Sequence, residues 1–155
     1  MLDDELWIRA SFRLAEQSRA NGDQPFGAIL VGADGEVLGE ATNTRNIAKD
    51  LSGHAEMNIV RALWAGANAE FPGATLYAST EPCMMCAGII AWSGIGRVAF
   101  GLSQRRLHAI PTSRPPRFAV ATELRALLHG VNPPVEVVGP LLEDEALVPH
   151  SDYWP

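Results

Sequence analysis

Two short motifs with metal-binding side chains constrain this chain more than any other feature of its sequence. His54-Ala55-Glu56 stands at the start of one helical pattern, and Pro82-Cys83-Met84-Met85-Cys86 stands at the start of another. Imidazole and thiolate groups are ligands of Zn²⁺, and three such ligands leave a fourth position open for water. The fold must therefore bring the starts of two helices to one point.

The spacing within each motif supports a shared metal site. His54 and Glu56 are two residues apart, so inside a regular helix they would lie on nearly opposite faces. Both reach one ion only at the first helical turn, and Ser52-Gly53 before them is typical of a helix start. Cys83 and Cys86 are three residues apart and share one face of a helix.

A glutamate beside such a metal has a defined chemical use. Zn²⁺ with an open position lowers the pKa of water, and Glu56 would move protons between that water and a substrate. Backbone N–H groups at the two helix starts, such as those of Ala55 and Cys83, would orient the water or the substrate. The pattern therefore predicts a hydrolytic zinc site.

The residues alone leave other roles for the two cysteines open. A closed structural zinc site, typical of a non-catalytic interaction module, needs a fourth protein ligand, which His108, His129 or His150 could supply. The two cysteines could also form a redox-active dithiol, or they could be core residues grouped by chance. A disulfide scaffold is excluded, because the chain has only two cysteines and both stand in one motif.

Length and charge limit the class of protein. A chain of 155 residues is expected to form one domain over residues 1–155. It has no apolar run near the roughly 20 residues that span a bilayer, and its first residues, MLDDE, are acidic where a secretory signal is basic. We therefore expect a cytoplasmic protein without a membrane partner. The net charge of -6 disfavours nucleic acid and suits a small neutral substrate.

The periodicity of apolar residues predicts a layered α/β fold. Helices are predicted over 2–20, 54–67, 83–93 and 119–129, with a helical turn or two over 141–148; strands are predicted over 26–32, 36–42, 75–79, 97–100 and 135–138. Ala33-Asp34-Gly35 predicts a hairpin turn, and the later alternation of strands and helices predicts parallel pairing. The Arg- and Pro-rich segment 103–118 is predicted as a loop or short helix.

Three stretches of the sequence resemble the cytidine deaminase-like superfamily. They are Asp23–Val31 (DQPFGAILV), Gly53–Ala62 (GHAEMNIVRA) and Leu76–Gly101 (LYASTEPCMMCAGIIAWSGIGRVAFG). H-x-E with P-C-x-x-C is the pattern of zinc deaminases that act on nucleobases. The resemblance implies an α/β/α three-layer sandwich around a five-stranded mixed sheet, a homodimer, Zn²⁺ held by His54, Cys83 and Cys86, and Glu56 as proton carrier.

The resemblance also implies a set of substrate-binding residues. Asn43 would hydrogen-bond to the base, Phe26 would lie against the base, and Trp92 would help to line the pocket. Glu81 with one of Glu143 or Glu145 would pair with the N–H edge of a purine or triazine. The tail with Tyr153 and Trp154 would close over the pocket. Core packing is the alternative role for Phe26 and Trp92, and a surface or dimer contact is the alternative role for the tail.

The branch that the chain resembles contains guanine, tRNA adenosine and fungal-type cytosine deaminases. After Phe100-Gly101 the chain reads Leu102-Ser103-Gln104-Arg105-Arg106, where tRNA adenosine deaminases usually continue with an Asp-x-Lys-x-Gly-like segment. The tail is more similar to that of guanine deaminases. We therefore predict a guanine-like purine as the substrate, with cytosine, adenosine, a triazine-type amine or tRNA as alternatives.

Overall fold

The computed structural model describes residues 2–67, 71–113 and 122–155. Its helices are α1 (Asp4–Ala20), α2 (Ala55–Ala67), α3 (Met84–Ser93), α4 (Gln104–His108), α5 (Leu124–Leu127) and α6 (Glu143–Ala146), with a 3₁₀ turn at Val148–His150. Its strands are β1 (Gly27–Val31), β2 (Val37–Thr42), β3 (Thr75–Thr80), β4 (Arg97–Leu102) and β5 (Glu136–Val138).

These strands form a five-stranded mixed sheet in the order β2-β1-β3-β4-β5. β1 is antiparallel to both β2 and β3, whereas the pairs β3–β4 and β4–β5 are parallel. The parallel pairing predicted for the later strands is therefore confirmed, because α3 carries the chain from β3 across to β4.

Apolar side chains cover both faces of the sheet. Leu30, Leu76 and Val98 face α2 and α3 in one buried cluster, and Ile29 and Tyr77 face α1 in another. Neighbouring residues of each strand alternate between the two clusters, since successive side chains of a strand point to opposite faces. The predicted α/β/α three-layer sandwich is confirmed.

Local chemistry defines the ends of α1. The Asp3 carboxylate accepts the Leu6 N–H at 3.1 Å and so caps the first turn. Arg19 in the last turn interacts favourably with the helix dipole. Gly22 follows with a φ of 90°, a left-handed backbone conformation that residues with a side chain rarely adopt. The chain thereby turns sharply towards Asp23 and the residues that follow it.

The second half of the chain departs in part from the prediction. Segment 103–118 contains α4, which Ser103 caps by accepting the Arg106 N–H, while residues 114–118 lie outside the described part. Of the helix predicted over 119–129, the described residues form only α5 (Leu124–Leu127), while residues 119–121 lie outside the described part. None of the described helices is long and apolar enough to cross a membrane.

Candidate metal centre and active site

The two motifs meet where α2 and α3 begin. His54 directly precedes α2, Cys83 is the N-cap residue of α3, and Cys86 lies in its first turn. The His54 Nδ1 atom is 3.6 Å from the Sγ atoms of both Cys83 and Cys86. All three donor atoms lie within 4.8 Å of one another, a spacing that fits a cation bound between them. The donor set therefore suits Zn²⁺.

The loop before His54 is tightly packed. A Cβ atom on Gly53 would lie 2.9 Å from the Thr44 hydroxyl oxygen and 3.0 Å from the Arg45 amide nitrogen. The Asp50 carboxylate accepts hydrogen bonds from the Ser52 amide at 2.9 Å and from its hydroxyl at 2.7 Å. Because the loop has so little room to move, it fixes His54 at the start of α2.

The two sulfurs compete for one proton. A hydrogen bond from the Cys86 thiol, together with His54, lowers the pKa of Cys83 to about 4. The same pairing with Cys83, followed by burial, raises the pKa of Cys86. A divalent cation resolves this competition, since it stabilises both thiolates at once.

Glu56 lies beside the donor atoms without being one of them. Its side chain is 8% exposed in the first turn of α2, and its Oε2 atom accepts a hydrogen bond from the Cys86 thiol at 3.6 Å. Burial is the main reason why its pKa is raised. A carboxyl group with a raised pKa can hold and release a proton closer to neutral pH.

The metal donors and Glu56 face a cavity of about 1100 Å³. Both helix starts, the strand end at Thr80, α4 and the tail contribute to its wall. Its lining residues are Gln24, Phe26, Arg45, Leu51, His54, Glu56, Thr80, Glu81, Cys83, Met85, Gln104, Leu107, His108, Ile110, Thr112, Tyr153, Trp154 and Pro155.

The tail reaches the cavity as part of an aromatic cluster. Trp154 is stacked 6.0 Å from His150 and donates its indole N–H to the His150 Nδ1 atom at 3.2 Å. Phe26 lies 5.4 Å from the His150 ring and 6.2 Å from Trp154. Arg19 donates a hydrogen bond to the Pro149 carbonyl at 3.1 Å. The tail is therefore held against the same chain's α1.

Three predicted substrate-binding residues lie elsewhere. Trp92 is 86% exposed on α3, which excludes both pocket lining and the alternative of core packing within this chain. Glu143 accepts hydrogen bonds from the amide and hydroxyl of Ser103 at 3.0 Å and 2.6 Å, and Glu145 pairs with Arg9 at 2.8 Å. None of these three lines the cavity, so the structure does not bring them to the metal donors of the same chain.

Two more predicted residues are buried and already have partners. The Glu81 carboxylate lines the cavity but accepts the amides of Gln104 at 2.9 Å and Leu124 at 2.8 Å. Asn43 donates its amide to Asp23 at 2.6 Å and does not line the cavity. Glu81 thus joins the starts of α4 and α5, which does not support its pairing with a purine edge.

The remaining predicted residues are close to the centre. Phe26, Tyr153 and Trp154 line the cavity, and Ala55 is fully buried as the first residue of α2. Sequence reasoning missed the polar lining residues Gln24 and Arg45, which carry no motif signal of their own. Arg45 stands two residues after Asn43, and only the tertiary structure shows that Arg45 lines the cavity.

The structure decides against a closed zinc site. His108, His129 and His150 all lie within the described residues, and the only three-ligand group found there is His54, Cys83 and Cys86. A site closed by a second histidine is therefore not formed. Fold and site together define an α/β protein with an open metal centre and a buried carboxylate beside it.

Comparison with known proteins identifies the family. Residues 1–102 match the cytidine and deoxycytidylate deaminase zinc-binding region. A probable cytosine deaminase from Schizosaccharomyces pombe is 38% identical over 97% of this chain and 92% of its own length. The chain therefore belongs to this family of zinc-dependent enzymes that hydrolytically deaminate nucleobases and nucleosides. Its zinc dependence, predicted from the two motifs, is confirmed.

Other relatives differ in the substrates that their names state. The tRNA-specific adenosine deaminase of Bacillus subtilis is 37% identical over 65% of this chain and 63% of its own length. The solved guanine deaminase of Nitrosomonas europaea is 20% identical, with a TM-score of 0.78 over 99% of this chain and 85% of that one. The latter likeness shows a shared fold.

Proposed function

We propose that this protein deaminates a small, free, amino-substituted nucleobase. The observation that carries the proposal is the position of Glu56, which lies beside the three metal donors in a cavity bounded by Tyr153 and Trp154. The overall reaction adds water to the carbon that bears the amine, and it releases ammonia while a carbonyl group forms.

The residues divide the chemistry between them. His54, Cys83 and Cys86 would hold Zn²⁺, which when bound supplies a water molecule of lowered pKa. Glu56 would take one proton from the attacking water and give it to the ring nitrogen, and would then move the hydroxyl proton of the adduct to the leaving amine as the carbonyl forms. Its burial, 8% exposed, suits this role because a carboxyl group of raised pKa passes protons in both directions.

Two observations favour a free base over tRNA. The cavity is bordered by Tyr153 and Trp154, and His150 and Arg19 hold that segment in place. A polynucleotide would need this border to move, whereas a single base fits within a cavity of about 1100 Å³. The net charge of -6 also disfavours a phosphate backbone.

Cytosine and a guanine-like purine are the leading substrates. The relative that matches 97% of this chain is named a probable cytosine deaminase, while the tail's aromatic cluster suits stacking on either ring system. The preference for guanine made from the sequence stays a prediction. Since one metal centre serves the shared amidine chemistry, the shape and polarity of the cavity select the base.

An ammonia-release screen tests the proposal. The zinc-loaded protein is offered cytosine, guanine, adenine, their nucleosides, pterins, triazines and an RNA anticodon hairpin. We expect the highest kcat/KM with a free base and none with the hairpin. Release from the hairpin alone would support the tRNA alternative instead, and no release from any compound would overturn the proposal.

We also propose a homodimer formed through α3. The exposed side of this helix carries Met84, Gly88 and Trp92 at four-residue spacing, and Met84 and Trp92 are 53% and 86% exposed. The helix contains no charged residue. A large apolar stripe of this kind is typical of a protein interface. The cytoplasmic location stays a prediction.

A further inference from the structure

Arg45 differs from the other half-buried arginines in having no protein partner. It lines the cavity, and among the described residues its guanidinium group makes no hydrogen bond or ion pair. The other half-buried arginines each bind a carboxylate or a carbonyl group; they are Arg9, Arg19, Arg97 and Arg106. The described arginines that lack a partner, Arg13 and Arg105, are exposed to water.

The carboxylates of the cavity do not compensate the charge of Arg45. Glu56 accepts a hydrogen bond from Cys86 at 3.6 Å, and Glu81 accepts two backbone amides at 2.9 Å and 2.8 Å. A guanidinium group that loses water on burial needs acceptor atoms to replace it. Because the described wall of the cavity supplies none to Arg45, the acceptor is expected to come with the ligand.

The backbone around Arg45 is fixed before any ligand binds. The Asp23 carboxylate accepts the amide of Asn46 at 2.9 Å, and the Arg45 carbonyl accepts the amide of Asp50 at 3.1 Å. Asp23 is fully buried, and its hydrogen bonds more than offset burial, so that its pKa is lowered and it stays ionised. Little ordering of this loop is therefore needed on binding.

The donor faces the same cavity as the metal centre. Arg45 and His54 both line this cavity. Cytosine and guanine share a feature that suits this arrangement. Each carries its amine and a ring carbonyl on carbons separated by one ring nitrogen, whereas adenine carries an amine and no carbonyl.

We propose that Arg45 binds the ring carbonyl oxygen of the substrate and so selects amino-oxo bases over amino bases without a carbonyl. This inference rests on the proposed function and adds the substrate class to it. A guanidinium donor strengthens a hydrogen bond to oxygen because the donor is charged. Across the ring nitrogen from its amine, adenine carries a C–H group in place of the carbonyl, so this cation would find no oxygen acceptor there, which disfavours adenine binding.

Matched pairs of substrates test the role of Arg45. Cytosine is compared with 4-aminopyrimidine and guanine with 2-aminopurine, since each analogue keeps the amine but lacks the carbonyl group and the ring N–H that accompanies it. We expect Arg45→Met to lower kcat/KM for the oxo base by about tenfold or more, and to change that for its deoxo analogue by less than about threefold. Where a deoxo analogue reacts too slowly, its inhibition constant replaces kcat/KM.

Controls separate this role from others. Arg13→Met removes an exposed arginine outside the cavity and should leave both members of each pair unchanged, and zinc content should be equal in all variants. Equal losses for oxo and deoxo bases, or loss of zinc in Arg45→Met, would overturn the inference. A loss of kcat/KM in Arg45→Met that is seen with cytidine 5′-monophosphate but not with cytidine would also overturn the inference, since Arg45 would then bind phosphate.

The two proposals fail in distinguishable ways. Wild-type protein that deaminates no base overturns the proposed function and this inference together. If the wild type deaminates cytosine or guanine but Arg45→Met changes kcat/KM equally for oxo and deoxo bases, only the inference is overturned. The Arg45→Lys variant should restore part of the preference, because lysine keeps the charge but lacks the planar pair of donors.

Discussion

At the residue scale, charge and burial oppose each other around the metal centre. Burial raises the pKa of Glu56, while a hydrogen bond with Cys83 and the negative charge of Glu56 raise the pKa of His54 against the effect of burial. The Cys86 thiol, which donates to Glu56, is the group that a bound cation must deprotonate. Metal binding therefore releases protons, and the affinity for zinc should rise with pH.

Glu56→Gln should leave the metal centre intact and abolish turnover. The amide has almost the same volume as the carboxylate but cannot accept and return a proton. We expect kcat to fall by about a thousandfold or more, with about one zinc per chain by atomic spectroscopy. Cys86→Ser is the matched variant that should lose zinc as well as activity. A Glu56→Gln enzyme with near wild-type kcat would remove Glu56 from the mechanism.

At the element scale, the tail is the part of the fold that completes the cavity. The 3₁₀ turn at Val148–His150 follows α6, which is fastened to α1 by the pair of Arg9 with Glu145. Arg19 then holds the carbonyls of Pro149 and Ser151 at 3.1 Å and 2.5 Å. These contacts place Trp154 at the cavity without help from a second chain.

Deletion of residues 150–155 should open the cavity to water. It removes Tyr153 and Trp154 from the wall while α1 and the metal donors stay in place. We expect kcat/KM for a free base to fall by about tenfold or more, because the substrate loses its stacking surface. Steady-state kinetics on the zinc-loaded protein provide the measurement. Unchanged kinetics would show that the tail is only a surface contact.

His150 should make the stability of the fold depend on pH. Burial lowers its pKa to about 4, below the unfolded value of about 6.5. Between these pH values the unfolded chain binds more protons at His150 than the folded chain does. The contribution of His150 to the stability of the fold is therefore fully present above pH 6.5 and is lost as the pH falls towards 4. The largest loss is about 3 kcal/mol.

Urea unfolding at pH 7 and pH 5 measures this dependence. His150→Gln should show a smaller decrease than the wild type, since Gln can accept the Trp154 indole N–H but does not titrate. The metal centre titrates alike in both proteins, so it cancels in the comparison. An equal decrease in both would show that His150 does not contribute.

At the scale of the whole molecule, α3 contributes to both the metal centre and an exposed apolar surface. Cys83 and Cys86 at its start face the metal centre, while Met84 and Trp92 remain exposed on the opposite side. A dimer through this helix would therefore join the interface directly to the metal donors. Gly88 at the middle of the stripe leaves open space for a close approach, since a Cβ atom there would touch nothing within 4 Å.

Trp92→Glu should convert the dimer to a monomer. A carboxylate on each copy would be buried against the other across the same stripe, and unpaired buried charges are strongly disfavoured. Light scattering after size exclusion should show the mass of one chain in place of two. Leu6→Glu changes a residue of α1 that is 53% exposed and should keep the dimer. A wild-type monomer at micromolar concentration would refute the proposal.

The sequence by itself determined the metal centre and the layered fold. Both depend on local rules, because the three-residue spacing of Cys83 and Cys86 puts them on one helix face and apolar periodicity separates helices from strands. The predicted strands differ from the observed ones by at most about two residues at either end, within the usual uncertainty of such boundaries.

Only the tertiary structure decided which charged and aromatic side chains reach the cavity. Glu145 is engaged by Arg9, 136 residues away in the chain, and Glu81 is engaged by the starts of two distant helices. Trp92 is exposed and Arg45 has no partner in the described part of the protein, although both stand close to the motifs. Residues so distant in sequence show no periodic pattern that would predict their contact. Their pairing depends on how the helices and strands pack together.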